Sequence, residues 1–157
     1  LDEADRHDPG FCRQWLGVTA KKARRRGFAL AIGVGDLHIV GDAGNNTIYW
    51  GGVADAPSSV VNQLSNISMD AMGRIYVAEG VSTGARVIRY HQTGPGGEGT
   101  IVADALKSPA GIAVDPVGNI YIVEKGESRI TLVSHEGLIY NWTTGLGDPD
   151  YLAFTQY

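Results

Sequence analysis

The chain has 157 residues, 43% of them hydrophobic, and a formal charge of −4. That is enough for one domain with a real core, and it excludes compositional disorder and gives no reason to expect a nucleic-acid partner. A single cysteine, Cys12, excludes an internal disulfide framework, and no apolar run approaches the roughly 20 residues of a membrane span.

Residues 1–27 open with the acidic LDEADRHDPG and continue through QWLGVTAKKARRRG, which carries Lys21, Lys22, Arg24, Arg25 and Arg26. A basic run can be a nuclear signal or a phosphate patch. In an otherwise acidic chain the greater weight falls on a solvated linker or a protected edge. The segment fits no later pattern and is taken as an N-terminal extension or the remnant of a preceding repeat.

From residue 28 onward the chain repeats. A first copy has Ala29–Ile32, then GDLHIVGDAGNNTI around Asp42, with a further strand at Thr47–Trp50. A second has Asn66–Asp70, the corner Asp70-Ala71-Met72-Gly73, GRIYVAEGVSTGARVI around Glu79, and strands at Arg86–Tyr90 and Thr100–Ala103. A third has Gly111–Asp115, the corner Asp115-Pro116-Val117-Gly118, GNIYIVEKGESRI around Glu124, and strands at Arg129–Val133 and Leu138–Trp142. The acids stand 37 and 45 residues apart. Leu146-Gly147-Asp148-Pro149 repeats Leu106-Lys107-Ser108-Pro109 after 40 residues, so Tyr151-Leu152-Ala153-Phe154 reads as the first strand of a fourth copy. Period-two alternation rich in Ile and Val predicts half-buried strands. Asp first and Gly fourth at the corners is turn chemistry. The 22 glycines, about twice the usual share of roughly 7%, agree with many turns.

Four antiparallel strands per ~40 residues predict an all-β fold of β-propeller blades. The segment SPAGIAVDPVGNIYIVEKGESRI, with GDAGNNTI in the first copy, resembles the NHL-repeat family. The first copy departs from that pattern, with Gly33-Val34-Gly35-Asp36 in place of the Asp-x-x-Gly corner. The resemblance covers roughly residues 28 to 154 and implies a ring of about six blades. Residues 28–157 then hold three blades and the first strand of a fourth, an incomplete ring. Such an arc is a piece of a longer protein, or is completed by self-association or by a protein partner.

For chemistry, the family resemblance implies two enzyme precedents, calcium-dependent lactonases and amidating lyases, with ligands at the central mouth on residues that break the repeat. Asp42, Glu79 and Glu124 share one repeat position, and Asp70 and Asp115 share another. Acids present in every blade are expected to serve the blade through turns and strand ends. His7, His38, His91 and His135 are scattered, against a zinc site. No catalytic residue, metal ligand or cofactor is therefore assigned, and calcium enters only under the enzyme alternative.

Asn45, Asn66 and Asn141 each begin an N-glycosylation sequon, with Asn141 the best placed acceptor, which leans the chain toward an extracellular or secretory setting. Trp50, Tyr90, Tyr140 and Trp142 fall at strand ends and are candidate partner contacts, although inter-blade packing is the commoner use of such residues. The expectation is a non-catalytic interaction or structural-assembly module that binds protein or glycan. The alternative is a fragment of a metal-dependent propeller enzyme, hydrolase or lyase.

Overall fold

A computed structural model describes residues 28–32, 38–42, 46–50, 58–60, 62–80, 84–91 and 99–154. The extension at 1–27, with its basic run, lies outside the described residues, as do Asn45 and the corner at 33–36.

Among the described residues, twelve strands form three antiparallel four-stranded sheets, each in sequential order. The first holds β1 (Phe28–Ile32), β2 (His38–Asp42), β3 (Thr47–Trp50) and β4 (Ser58–Val60). The second holds β5 (Leu64–Met69), β6 (Ile75–Glu79), β7 (Ala85–Tyr90) and β8 (Thr100–Leu106). The third holds β9 (Pro109–Val114), β10 (Ile120–Glu124), β11 (Arg129–Val133) and β12 (Ile139–Thr143). β1 packs on β5 and β5 on β9, so the first strands gather while the fourth strands lie outermost. This is the arrangement of propeller blades around an axis, and the three sheets form an incomplete ring.

Two apolar seams hold the blades together. Ile39 and Ile48 of blade one meet Leu64, Ile67, Ile75 and Val77 of blade two. On its other face, blade two sets Tyr76, Ala78 and Val87 against Ile112, Ile120, Ile122 and Val133 of blade three. One strand serves both seams because alternate side chains leave opposite faces, which is why β6 is buried along its whole length.

Each β-corner is built by its first residue. Asp70 accepts backbone N–H bonds from Met72 and Arg74 at 2.9 Å, and Gly73 takes a left-handed φ of 76°. Asp115 accepts from Val117, Gly118 and Asn119, with Gly118 at 99°. Ser134 does the same for the β11–β12 hairpin through Leu138 N–H at 3.1 Å. Side-chain acceptors of this length satisfy turn amides that no ladder reaches.

The fourth strand of blade one, three residues at Ser58–Val60, carries no sequence signal. The fourth-copy segment Tyr151–Phe154 is not a strand. It nevertheless runs beside β9, with the carbonyl of Asp150 and the backbone of Tyr151 and Leu152 against Gly111.

Candidate functional site

The second and third strands of each blade meet at the same end of the molecule as the connection into the next blade. There, Glu79 ends β6 and Glu124 ends β10. Both are buried, and both clasp the connection that precedes their own blade. Glu79 accepts the Asn62 N–H at 3.0 Å and the Arg86 Nε–H at 2.7 Å. Glu124 accepts the Lys107 N–H at 2.7 Å, the Arg129 Nε–H at 2.9 Å and the Thr131 hydroxyl. Beside each clasp a backbone bond recurs, Gly80 N–H to Gln63 O at 2.8 Å and Lys125 N–H to Ser108 O at 3.1 Å. Gln63 and Ser108 occupy the same repeat position and share a left-handed φ, near 49° and 51°.

Burial alone would raise the pKa of Glu124. The hydrogen bonds from Arg129, Thr131 and Lys107 outweigh it, and the carboxyl is held below its ordinary value. At the opposite end, burial likewise raises Asp70, but Arg74 and the Tyr76 hydroxyl hold it low. Asp115 is held low against its burial by Asn119 and the turn amides. These carboxylates are spent on the blade, as their repetition predicts. Among the described residues no group of three or more His, Cys, Asp or Glu is placed to hold a metal ion.

An open groove of about 730 Å³ lies between the clasps of blades two and three, with Arg86, Asp104, Lys107 and Glu127 on its walls. The charges alternate in sign. Arg86 is already tied to Glu79. The groove therefore offers polar contacts of both signs.

The aromatic candidates separate. Tyr90 is half-buried against the seam between blades one and two. Its hydroxyl pKa is raised, first by burial and then by the nearby charge of Glu79. Tyr90 is thus a packing residue. Trp50 lies on β3. Tyr140 and Trp142 lie on the outermost strand of blade three, 48% and 56% exposed. The structure adds three residues to them. Tyr121 packs edge-on against Trp142 at 5.1 Å and against Phe154 at 5.0 Å, with Tyr151 exposed nearby in sequence. The register Tyr121↔Leu132↔Tyr140 puts all three on one face of the sheet, the face turned away from blade two. Tyr121 and Phe154 were not legible as part of a patch, because they stand 21 residues before and 12 after Trp142 and are brought together only by the fold. Of the sequons, Asn141 is exposed on β12, whereas Asn66 is half-buried on β5 between the first strands of its neighbours.

A family model described as a beta-propeller repeat matches residues 91–123. No curated protein sequence matches this one. Among solved structures, a streptogramin B lyase superposes with a TM-score of 0.65 at 14% identity, covering 80% of this chain and 44% of that one. A virginiamycin B lyase from Staphylococcus aureus gives 0.61 at 15% identity, covering 82% and 45%. A gluconolactonase from Xanthomonas campestris gives 0.64 at 16% identity, covering 80% and 52%. The chain spans about half the length of each of these structures. At such identities the likeness shows the propeller fold and no more.

Proposed function

We propose that the chain is a non-catalytic interaction or structural-assembly module, using its propeller blades to bind protein or glycan partners. The observation that carries this reading is the apolar flank of blade three. Tyr140, Trp142 and Phe154 are each close to half exposed on one side of a blade whose other side packs Ile112, Ile120, Ile122 and Val133 against blade two. Contiguous exposed aromatics of this kind mark a contact surface. Among the described acids, Glu79 and Glu124 are tied into the clasps and Asp70 and Asp115 into the corners. An extracellular or secretory setting belongs to the same reading through Asn141.

The test is calcium titration by calorimetry together with gluconolactone hydrolysis by the purified chain. Neither heat of binding nor turnover is expected. Micromolar calcium affinity or measurable hydrolysis would overturn the scaffold reading. Intact-mass measurement after expression through a secretory pathway checks the setting. Hexose-stepped mass that vanishes in Asn141→Gln is expected, and a bare mass would remove the extracellular role.

A second reading is a fragment of a metal-dependent propeller enzyme. It is favoured by the solved structures of similar fold, which include lyases and a gluconolactonase at about half their length. In that case calcium ligands would converge only in a completed ring, on residues other than the clasped acids.

A further inference from the structure

Blade two departs from the repeat on the side it turns toward blade three. The ladder across its sheet reads Tyr76↔Arg89↔Thr100, where blade three has Tyr121↔Leu132↔Tyr140. Arg89 thus stands where the next blade carries a leucine. Arg74, two residues before Tyr76, stands where blade three has Asn119. Tyr76 and Val87, the neighbours of Arg89 on this face, are 1% and 0% exposed in the seam with blade three. An arginine in this row carries its stem along an apolar seam, at a desolvation cost that the leucine avoids.

The charge is not met within the described residues. The Nε–H of Arg89 is buried and has no acceptor there, and no described carboxylate pairs with its guanidinium. The acids of the two corners are already committed. Asp70 takes the Arg74 Nε–H at 2.6 Å, the Tyr76 hydroxyl at 3.0 Å and two turn amides. Asp115 takes three turn amides and the Asn119 side chain. Glu136, 67% exposed, lies 4.0 Å from the His135 imidazole. Arg74 gives its Nε–H to Asp70 and extends Nη2 to the corner of blade three. That nitrogen lies 3.8 Å from where a Cβ on Gly118 would stand, and the His135 Cβ is equally far from the same point. The two guanidiniums also gather around one hydroxyl. Burial and then Asp70 raise Tyr76, and the charges of both Arg74 and Arg89 oppose them.

We propose that the corner end of the seam between blades two and three binds a tetrahedral oxyanion, phosphate or sulfate, free or as the end group of an ester. Arg74 and Arg89 hold it, with the Thr100 hydroxyl next to Arg89 in the ladder and His135 at the rim. Arg74 comes from the corner and Arg89 from β7, so donors approach from two directions, with the hydroxyl as a third. A carboxylate has two oxygens and matches one guanidinium fork, whereas a phosphate or sulfate ester still offers three. The anion supplies the acceptor that the buried Nε–H of Arg89 requires. It also ties blade two to blade three through residues that break the repeat. The site lies within these two blades and is independent of the scaffold reading, of calcium and of lactone turnover.

The test titrates inorganic phosphate and inorganic sulfate into the isotope-labelled chain, at an ionic strength held fixed with chloride, and follows the arginine Nε–H signals by NMR. The Arg89 signal is expected to shift and saturate with a Kd at or below about 1 mM. Thermal melts are expected to rise with phosphate concentration. Arg89→Leu takes the residue that blade three uses in the same row. It is expected to fold, to melt no lower than the parent in chloride, and to lose the phosphate-dependent rise. Arg89→Lys keeps the charge without the fork and is expected to bind at least about tenfold more weakly. A hexose phosphate and a hexose sulfate identify the source of the anion. Tighter binding than the inorganic ions marks the end group of a larger ligand, and equal or weaker binding marks the free ion. An Arg89 signal unmoved by about 20 mM of either ion would overturn the proposal. Acetate binding as tightly as phosphate, or equal stabilisation of the parent and Arg89→Leu, would do the same. If Arg89→Leu fails to fold, the Arg89 signal of the parent chain decides alone.

Discussion

Glu124 has 0% of its surface exposed, yet three donors meet its carboxylate. A buried carboxylate so surrounded is costly to disturb, because removing it leaves the Arg129 guanidinium and the Lys107 amide without their acceptor. Glu124→Ala is expected to lose about 3 kcal/mol in urea unfolding. The pH dependence follows from the direction of the shift. Burial opposes the charged form, but the bonds to Arg129, Thr131 and Lys107 prevail, so the folded pKa lies below the ordinary 4.5. Below the ordinary value the unfolded chain binds a proton that the folded chain does not, and stability falls as pH drops toward the folded pKa. Thermal melts should therefore hold steady from neutral pH to near 4.5 and decline below it, less steeply in Glu124→Gln. A melt that is flat to pH 3 would contradict the clasp. The structural role of these acids was legible in the sequence because they recur. Their partners were not. One is a backbone N–H 17 residues upstream, which no side chain announces, and the arginines follow at different intervals, seven residues after Glu79 and five after Glu124.

The strand pattern was legible wherever Ile and Val alternate, and β3 and β11 fall on their expected residues, Thr47–Trp50 and Arg129–Val133. The outer strands were less so. β8 runs on to Leu106 and β12 is displaced by one residue, because strands with one covered neighbour carry weaker alternation. The entry to each blade held a feature that propensity could not show. Gln63 and Ser108 sit in left-handed backbone just before β5 and β9, where the ladder shifts between Leu64 and Asn66 and between Val123 and Glu124. An L-residue pays roughly 1 kcal/mol or more for that conformation, which glycine adopts freely. Ser108→Gly is expected to gain up to about 1 kcal/mol, less the entropy that glycine adds to the unfolded chain. Ser108→Val should lose at least as much, its branched Cβ being poorly suited to positive φ. Paired denaturation curves decide the sign, and a stabilising valine would contradict the backbone assignment.

At the scale of the whole molecule, the two faces of blade three should respond oppositely to the same kind of change. Ile122 is enclosed in the seam with blade two, where truncation leaves a cavity between sheets that cannot close without moving the clasped connections. Ile122→Ala is expected to cost about 2–5 kcal/mol. Trp142 gives up far less. Its stabilising contact is the edge-on packing against Tyr121, worth about 0.5–1.5 kcal/mol beyond area, and more than half of its surface already faces water. Trp142→Ser should therefore cost under about 2 kcal/mol. It should also raise solubility, because it breaks an apolar patch at a sheet flank. The contrast separates a face packed in the seam from a face open to water. If Trp142→Ser proved as damaging as Ile122→Ala, the flank would be part of a closed core. If it costs little and lowers dye binding, the apolar surface of β12 contributes to contacts that blades one to three do not make among themselves.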